Sequence, residues 1–133
     1  MATTYLIDSN VLIDYASKKF EPIVEQKLDF IFDQSFNYSV ISRIEVLGYN
    51  TSDQILNLIE NFLATGSVYY VTEEVCQKTI LIRRQLPKIK MPDLIIASTA
   101  LVNNFTLQTR TTEDFKNITE LSIADPWTWD HED

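Results

Sequence analysis

Short runs of apolar residues alternate along this chain with longer stretches in which apolar residues recur every three or four positions. The short runs are rich in β-prone residues and end at polar ones, as buried strands do. They predict five strands at residues 4–8, 37–41, 68–71, 105–109 and 121–124. Because the runs are apolar throughout rather than alternating with polar residues, they indicate a parallel sheet covered on both faces.

The longer stretches have the period of amphipathic helices, and helix signals stand at their ends. Pro22 and Pro92 suit the first turns of two helices, and Ser42 and Ser52 are expected to begin two others. Gly66 would be the C′ residue that ends the helix begun at Ser52. The apolar stripes are Val11, Leu12 and Tyr15; Val24, Leu28 and Ile31; Ile55, Leu58, Ile59, Phe62 and Leu63; Val75, Thr79, Ile82 and Leu86; and Leu94, Ile95, Ala97 and Leu101.

Strands that alternate with helices predict an α/β fold with three layers, α/β/α, around a mainly parallel five-stranded sheet of Rossmann-like type. A length of 133 residues suits one domain with a hydrophobic core, and no repeat or linker divides the chain. We therefore expect a single domain over residues 1–133. With one cysteine, Cys76, and no visible signal peptide or apolar span of about 18 residues, we expect a cytoplasmic protein without a membrane segment.

Composition excludes several kinds of catalytic site. The chain has two glycines, so no phosphate-binding glycine loop or classical dinucleotide site can be written. A Ser-His-Asp triad and a histidine-rich zinc site are disfavoured because the single histidine, His131, is the third residue from the end. If the protein is an enzyme, its carboxylates must carry the chemistry.

Acidic residues are predicted to gather at one edge of the sheet. In open parallel sheets, ligands bind outside the carboxyl ends of the strands. Asp8 ends the first strand, Glu45 lies in the first turn of the helix after the second, and Asp93 begins the helix before the fourth. Glu113 and Asp114 follow the fourth strand. Carboxylates gathered in this way repel unless a cation neutralises them, and oxygen ligands suit Mg²⁺ or Mn²⁺.

Each acid also has a structural interpretation. Ser42-Arg-Ile-Glu45 is a capping box, and Asp8 could cap the first helix. Asp93 could be a first-turn carboxylate that the helix dipole favours, and Asp114 a surface acid. The joint placement of the acids, rather than any one of them, favours a metal site.

Four segments resemble the motifs of PIN domains, and those motifs are spread over nearly the whole chain. Residues 6–13, with Asp8 and Asn10, are similar to the first motif, and Ile41-Ser-Arg-Ile-Glu45-Val-Leu-Gly48 to the second. Residues 90–100 around Asp93 resemble the third, which is the most distinctive, and residues 107–115 the fourth. Asp125-Pro-Trp127 is also like the family. Size and motifs are closest to the VapC-like ribonuclease toxins of type II toxin–antitoxin systems.

The resemblance implies Mg²⁺-dependent hydrolysis of RNA by Asp8, Glu45 and Asp93 as catalytic metal ligands, supported by Ser9 and Asn10. Family members often carry Asp or Asn where this chain has Thr111. The fourth ligand is therefore Asp114, Glu113 or absent, and one or two metals are possible. The resemblance also implies a small antitoxin protein as partner and a homodimer, to which surplus apolar residues would contribute. Those surplus residues are Phe30, Phe32, Phe36 and Tyr49.

The net charge of −8 argues against nucleic-acid binding, but its distribution is uneven. Five of the eleven basic residues fall in residues 78–90, which we call the basic segment, and no acid lies between Val75 and Pro92. Under the PIN interpretation the segment would hold the RNA backbone; the alternative is a solvated helix face. The candidates for backbone contact are Arg83, Arg84, Lys88, Lys90 and Arg110.

Two other functions remain open. A PIN-like fold could serve as a non-catalytic interaction module, an alternative that Thr111 favours. A receiver-like Mg²⁺-binding signalling domain shares the size, the parallel sheet and the acidity. It would need a phosphoacceptor Asp after the middle strand, where this chain has Thr72-Glu73-Glu74.

Overall fold

The computed structural model describes residues 2–131, in which strands and helices alternate. The strands are β1 (Tyr5–Ile7), β2 (Asn37–Ser39), β3 (Ser67–Tyr69), β4 (Thr106–Gln108) and β5 (Ile123–Ala124). The α-helices are α1 (Ser9–Ala16), α2 (Pro22–Gln34), α3 (Val40–Leu47), α4 (Asp53–Leu63), α5 (Glu73–Gln85), α6 (Met91–Val102) and α7 (Thr112–Phe115). A 3₁₀ helix, Pro126–His131, follows β5. None of the helices in the described part of the chain is long and apolar enough to cross a membrane.

The strands pair in parallel, as the apolar runs predicted. They form a three-stranded sheet in the order β1-β4-β5 and a two-stranded sheet of β2 and β3, so the single five-stranded sheet is not confirmed. β1 and β2 are nevertheless neighbours. The side-chain amide of Asn37 donates to the carbonyl of Tyr5 over 3.1 Å, where a continuous sheet would place a backbone N–H.

Hydrophobic side chains cover both faces of the sheet. Leu6 and Ile7 are neighbours on β1, both fully buried, and they belong to different core clusters because side chains alternate along a strand. Ile7 packs with residues of α1 to α4, whereas Leu6 packs with residues of α5 and α6. Burial on both faces explains why β1 is apolar throughout.

The start of α3 differs from the sequence-based prediction. Val40 and Ile41, expected to end β2, belong to the helix, and Ser39 caps it by accepting from the N–H of Ile41 over 3.0 Å. Ser42 is consequently inside the helix and fully buried, and its hydroxyl has no partner among the described residues. The predicted capping box of Ser42 and Glu45 is therefore wrong.

Gly66 is required for a reason other than the predicted one. Helix α4 ends at Leu63 with Ala64 as C-cap, and Gly66 has no positive φ. A Cβ at Gly66 would lie 2.2 Å from Cδ2 of Phe36 and 2.7 Å from its carbonyl oxygen. Glycine is thus needed for close approach to Phe36 rather than for a left-handed turn.

The order of the strands also bears on the receiver alternative. A receiver needs its phosphoacceptor after a central strand. Among the described strands β3 pairs only with β2, so the segment that begins with Thr72 follows an edge strand. The topology gives no support to a receiver-like domain.

Candidate functional site

The carboxyl ends of β1 and β4 meet at one edge of the sheet, and the candidate site begins there. Parallel pairing sets Ile7 opposite Gln108, and the N–H of Asp8 donates to the carbonyl of Gln108 over 3.0 Å. Asp8 and Thr109, the residues that follow these strands, are thereby brought side by side. Their side chains leave the sheet where α1 begins.

Asp8 is buried, with 4% of its surface exposed, and both of its carboxylate oxygens are engaged. Oδ1 accepts from the backbone N–H of Ser9 over 2.8 Å, which makes Asp8 the N-cap of α1. Oδ2 accepts from the hydroxyl of Thr109 over 2.8 Å. The capping interpretation of Asp8 is therefore correct, and capping leaves this carboxylate fixed at the edge of the sheet.

Burial raises the pKa of Asp8 from 3.8 to about 6. Desolvation is the largest cause, because a carboxylate removed from water loses hydration that favours its charged form. The hydrogen bonds from Thr109 and Ser9 lower the pKa, and the negative charges of Glu45 and Asp93 raise it. Asp8 thus lies within the electrostatic range of two other acids from distant parts of the chain.

Ser9 connects the first acid to the second. Its hydroxyl donates to Oε1 of Glu45 over 2.8 Å and lies 3.4 Å from Oδ1 of Asp8. Glu45 is exposed on the second turn of α3, not on the first turn as expected, because the helix begins at Val40. Ser9 therefore bridges two carboxylates that are 37 positions apart in the chain.

Asn10 acts on Asp8 only through Thr109. Its side-chain amide donates to the hydroxyl of Thr109 over 3.3 Å, and its Oδ1 accepts from the N–H of Arg110 over 3.2 Å. The hydroxyl of Thr111 lies 3.1 Å from that of Thr109. Thr111, at the position where Asp or Asn is common in the family, thus joins a hydroxyl network behind Asp8.

Asp93 and Asp114 form the other side of the site. Asp93 is half-buried in the first turn of α6, and its pKa is raised, first by desolvation and then by the negative charges of Asp114 and Glu45. Lys90 lowers that pKa. Glu113 instead forms an ion pair of 2.8 Å with Lys116. Of the two acids on α7, Asp114 is the one whose charge reaches Asp93.

We call Asp8, Glu45, Asp93 and Asp114 the carboxylate cluster. Their oxygens are the hard donors that Mg²⁺ and Mn²⁺ prefer, so the chemistry of the donor set fits such a cation. Within residues 2–131, however, no three carboxylates, histidines or cysteines stand close enough together to form a ready-made metal shell. The four carboxylates influence one another electrostatically but are not drawn together as direct ligands of one ion.

The basic candidates differ in their surroundings. Arg83 donates to the carbonyl of Pro87 at the end of α5, and Lys78 forms an ion pair of 3.0 Å with Glu120. Arg84 and Lys88 are exposed, whereas Lys90 affects Asp93 directly. Arg110, which follows Thr109, donates its backbone N–H to Asn10 beside Asp8. Lys90, at the end of the basic segment, is thus a residue of that segment whose charge reaches the carboxylate cluster.

Comparisons with known proteins agree with these motifs, although no family model matches the chain. Ribonuclease VapC1 of Methanocaldococcus jannaschii is 28% identical over an alignment of 123 residues, which covers 89% of this chain and 83% of that protein. A chain of the VapBC-1 structure from nontypeable Haemophilus influenzae is 27% identical with a TM-score of 0.76, over 95% of this chain and 99% of that one. In sequence and in fold the chain resembles VapC-like PIN domains. A toxin–antitoxin complex from Klebsiella pneumoniae contains the same fold, with a TM-score of 0.72 and 24% identity over 92% of this chain and 98% of that one.

Sequence reasoning missed two contributors to the candidate site. Thr109 holds Asp8, and Trp127 contacts Arg110, with the guanidinium carbon 4.8 Å from the centre of an indole ring. The parallel pairing of β1 and β4 could have pointed to Thr109, because it predicts that the residues after both strands meet. Nothing in the spacing of Trp127 indicates that it lies beside this loop.

Proposed function

We propose that this PIN domain is a metal-dependent endoribonuclease and the toxin of a toxin–antitoxin pair. The observation that carries the proposal is the carboxylate cluster at the carboxyl ends of β1 and β4. Asp8 is buried there in a position that raises its pKa to about 6, next to the charges of Glu45 and Asp93. A buried acid near like charges is costly to stability, and such arrangements are concentrated at functional sites.

The similarity to Ribonuclease VapC1 supports RNA as the substrate. Lys90 lies beside the cluster and offers a positive charge to the phosphate backbone, with Arg83, Arg84, Lys88 and Arg110 as further candidates. Single-stranded or loop RNA suits an open edge of this kind, because its backbone and bases are accessible.

The carboxylate cluster would hold Mg²⁺ or Mn²⁺. When bound, such a cation lowers the pKa of water and offsets the charge that develops on the phosphate. Ser9 keeps Glu45 beside Asp8, and Thr109 fixes the orientation of Asp8. A nearby carboxylate of the cluster would take the proton from the attacking water. Lys90 holds a phosphate oxygen.

An antitoxin and a second copy of the chain are the proposed protein partners. The Klebsiella pneumoniae neighbour, a toxin–antitoxin complex, supports the first. Of the four surplus aromatic residues, Phe30 and Tyr49 are 67% and 49% exposed and remain available for contact. Phe36 is buried and stacks on Phe62, with ring centroids 4.2 Å apart, and Phe32 packs against both. Phe32 and Phe36 therefore pack in the hydrophobic core, and the proposed interface depends on Phe30 and Tyr49.

A nuclease assay tests the proposal. Purified protein is incubated with labelled single-stranded RNA, and with DNA of the same sequence, in the presence of Mg²⁺ or EDTA. We expect cleavage of RNA with Mg²⁺, none with EDTA and none by Asp8→Asn. Cleavage that persists in EDTA, or in the Asp8→Asn variant, would contradict the metal-dependent mechanism.

A non-catalytic interaction module is the second candidate. Two observations favour it: Thr111 replaces a common acid, and no ready-made metal shell exists among residues 2–131. Calorimetric titration with Mg²⁺ and Mn²⁺ separates the candidates independently of turnover. Absence of binding up to about 10 mM cation, together with intact antitoxin binding, would favour the module.

A further inference from the structure

Arg110 is held in place at the edge of the site by contacts on three sides. Its backbone N–H donates to Asn10, which ties the arginine to the network around Asp8. Its guanidinium lies over the indole of Trp127, 4.8 Å from a ring centre, and forms an ion pair of 3.7 Å with Asp14. Asp14 and Arg110 approach each other although 96 positions separate them in the chain.

The partners of Arg110 are themselves fixed. The ring of Trp127 packs against Phe20, with centroids 4.5 Å apart, and the backbone N–H of Trp127 donates to the carboxylate of Asp125 over 3.0 Å. The side chain of Asp14 is only 13% exposed. One face of the guanidinium therefore lies on a partly buried indole, which restricts an otherwise flexible side chain.

The guanidinium nevertheless keeps hydrogen-bonding capacity. The side chain of Arg110 is 56% exposed, and the 3.7 Å separation from Asp14 is longer than a hydrogen bond. Stacking uses the flat face of the group, so the N–H donors along its edge stay available. If Arg110 served only to connect the terminal 3₁₀ helix to α1, its guanidinium N–H groups would be expected to form hydrogen bonds with other groups of the protein.

We propose that Arg110 is a phosphate-contact residue for RNA, held ready by Trp127 and Asp14. The proposal rests on the proposed ribonuclease function and adds to it a specific residue and its positioning. A guanidinium edge matches two oxygens of a phosphate, and an arginine already held in place loses less rotamer freedom on binding. Its charge also offsets the repulsion between the carboxylate cluster and the RNA backbone.

Binding measurements in an Asp93→Asn background test the contact without cleavage, because Asp93 is not bonded to the Arg110 network. The probe is a labelled single-stranded RNA, titrated across a series of salt concentrations. We expect Arg110→Gln to weaken binding about tenfold and to reduce the slope of log affinity against log salt by about 0.7. Lys19→Gln, which removes a charge beyond the far end of α1, is the matched control and should leave the slope unchanged.

A second set of variants tests whether Trp127 positions Arg110 for RNA binding. Trp127→Phe preserves an aromatic face and should retain most of the affinity, whereas Trp127→Leu should weaken RNA binding by a few fold without changing the salt slope. Arg110→Lys should keep the salt slope but lower the affinity for RNA about threefold. A lysine ammonium does not stack on an aromatic ring and does not form the bidentate hydrogen bonds that a guanidinium forms with a phosphate. In the cleavage-competent protein these changes should raise KM more than they lower kcat.

Two results overturn the proposal, and they are distinguishable from failure of the ribonuclease function. If the wild type cuts RNA while Arg110→Gln leaves RNA affinity and salt slope unchanged but lowers the melting temperature, Arg110 contributes only to the stability of the fold. If the wild type neither binds nor cuts RNA, both the contact and the proposed function are wrong.

Discussion

The carboxylate cluster and the basic segment meet at Lys90 and Asp93 but are held in very different ways. Asp8 is buried and receives hydrogen bonds from Ser9 and Thr109, and its position is set by the pairing of β1 with β4. Arg84 and Lys88 are exposed at the end of α5 and in the loop that follows it. The fold thus determines where the first acid lies, whereas solvent surrounds these bases.

This difference indicates which residues lower the stability of the folded chain. Charged groups in water contribute little to stability and are easily replaced. A buried carboxylate beside other acids opposes folding, so its retention points to a task other than stability. The comparison therefore predicts large effects for changes in the cluster and small, graded effects for changes in the basic segment.

Loss of catalysis in Asp8→Asn and Asp93→Asn is the largest expected effect. Each change is nearly isosteric and removes one charged oxygen ligand, so RNA cleavage should fall on the order of a thousandfold, more than the 10–100-fold typical of a changed supporting residue. Initial rates with Mg²⁺ and excess RNA measure it. Glu113→Gln is the matched control, because that acid pairs with Lys116 instead of facing Asp93. If Glu113→Gln were as damaging as Asp93→Asn, the choice of Asp114 as the fourth acid would be wrong.

The pH dependence of stability should reveal the burial of Asp8 in metal-free protein. The pKa of Asp8 is about 6 in the folded chain and 3.8 when unfolded, so between these values the folded state holds a proton that the unfolded chain releases. Stability from this group is therefore highest below about pH 4, falls as pH rises to 6 and stays low above it. The difference amounts to about 3 kcal/mol at 1.36 kcal/mol per pKa unit.

The wild type and Asp8→Asn must be compared, since other acids titrate in the same range. Urea midpoints in EDTA between pH 4 and pH 7.5 give both curves. The stability of the wild type relative to Asp8→Asn should decline by up to about 3 kcal/mol as pH rises. A constant difference would show that Asp8 titrates normally and is better hydrated than its burial indicates.

Binding of Mg²⁺ should reverse part of this destabilisation. At about a hundred times its dissociation constant, the cation should stabilise the wild type by roughly 2.7 kcal/mol, on the order of 10 °C in melting temperature for a domain of this size. Asp93→Asn should gain much less. Thermal unfolding with and without Mg²⁺ measures both, and an equal gain in the two proteins would remove Asp93 from the ligand set.

Sequence patterns are sufficient to predict those features of the molecule that depend on a single strand or a single helix. The parallel pairing, Asp8 as the residue after β1 and Asp93 in the first turn of its helix all follow from local patterns. The start of α3 was placed wrongly because Val40 and Ile41 are β-branched and favour strands. Packing in the folded chain places both in a helix capped by Ser39.

Contacts between distant segments could not be predicted in the same way. Ser9 reaches Glu45, and Thr109 reaches Asp8, through hydroxyl groups whose spacing carries no distinctive signal. The sheet is likewise interrupted between β1 and β2, where the side-chain amide of Asn37 donates to the carbonyl of Tyr5. These features arise from the docking of elements, which a one-dimensional pattern does not record.

The smallest expected effects concern Arg83 and Arg84 in the last turn of α5. Arg83 already donates to the carbonyl of Pro87, so contact with RNA would require it to exchange that bond. Arg84 is exposed and can reach a phosphate without such an exchange. With inactive protein and single-stranded RNA, Arg84→Gln should reduce the slope of log affinity against log salt by about 0.7, and Arg83→Gln by less. Equal slopes for both variants and the wild type would mean that the end of α5 is a solvated surface, and that the backbone contacts of this acidic protein are confined to residues nearer the carboxylate cluster.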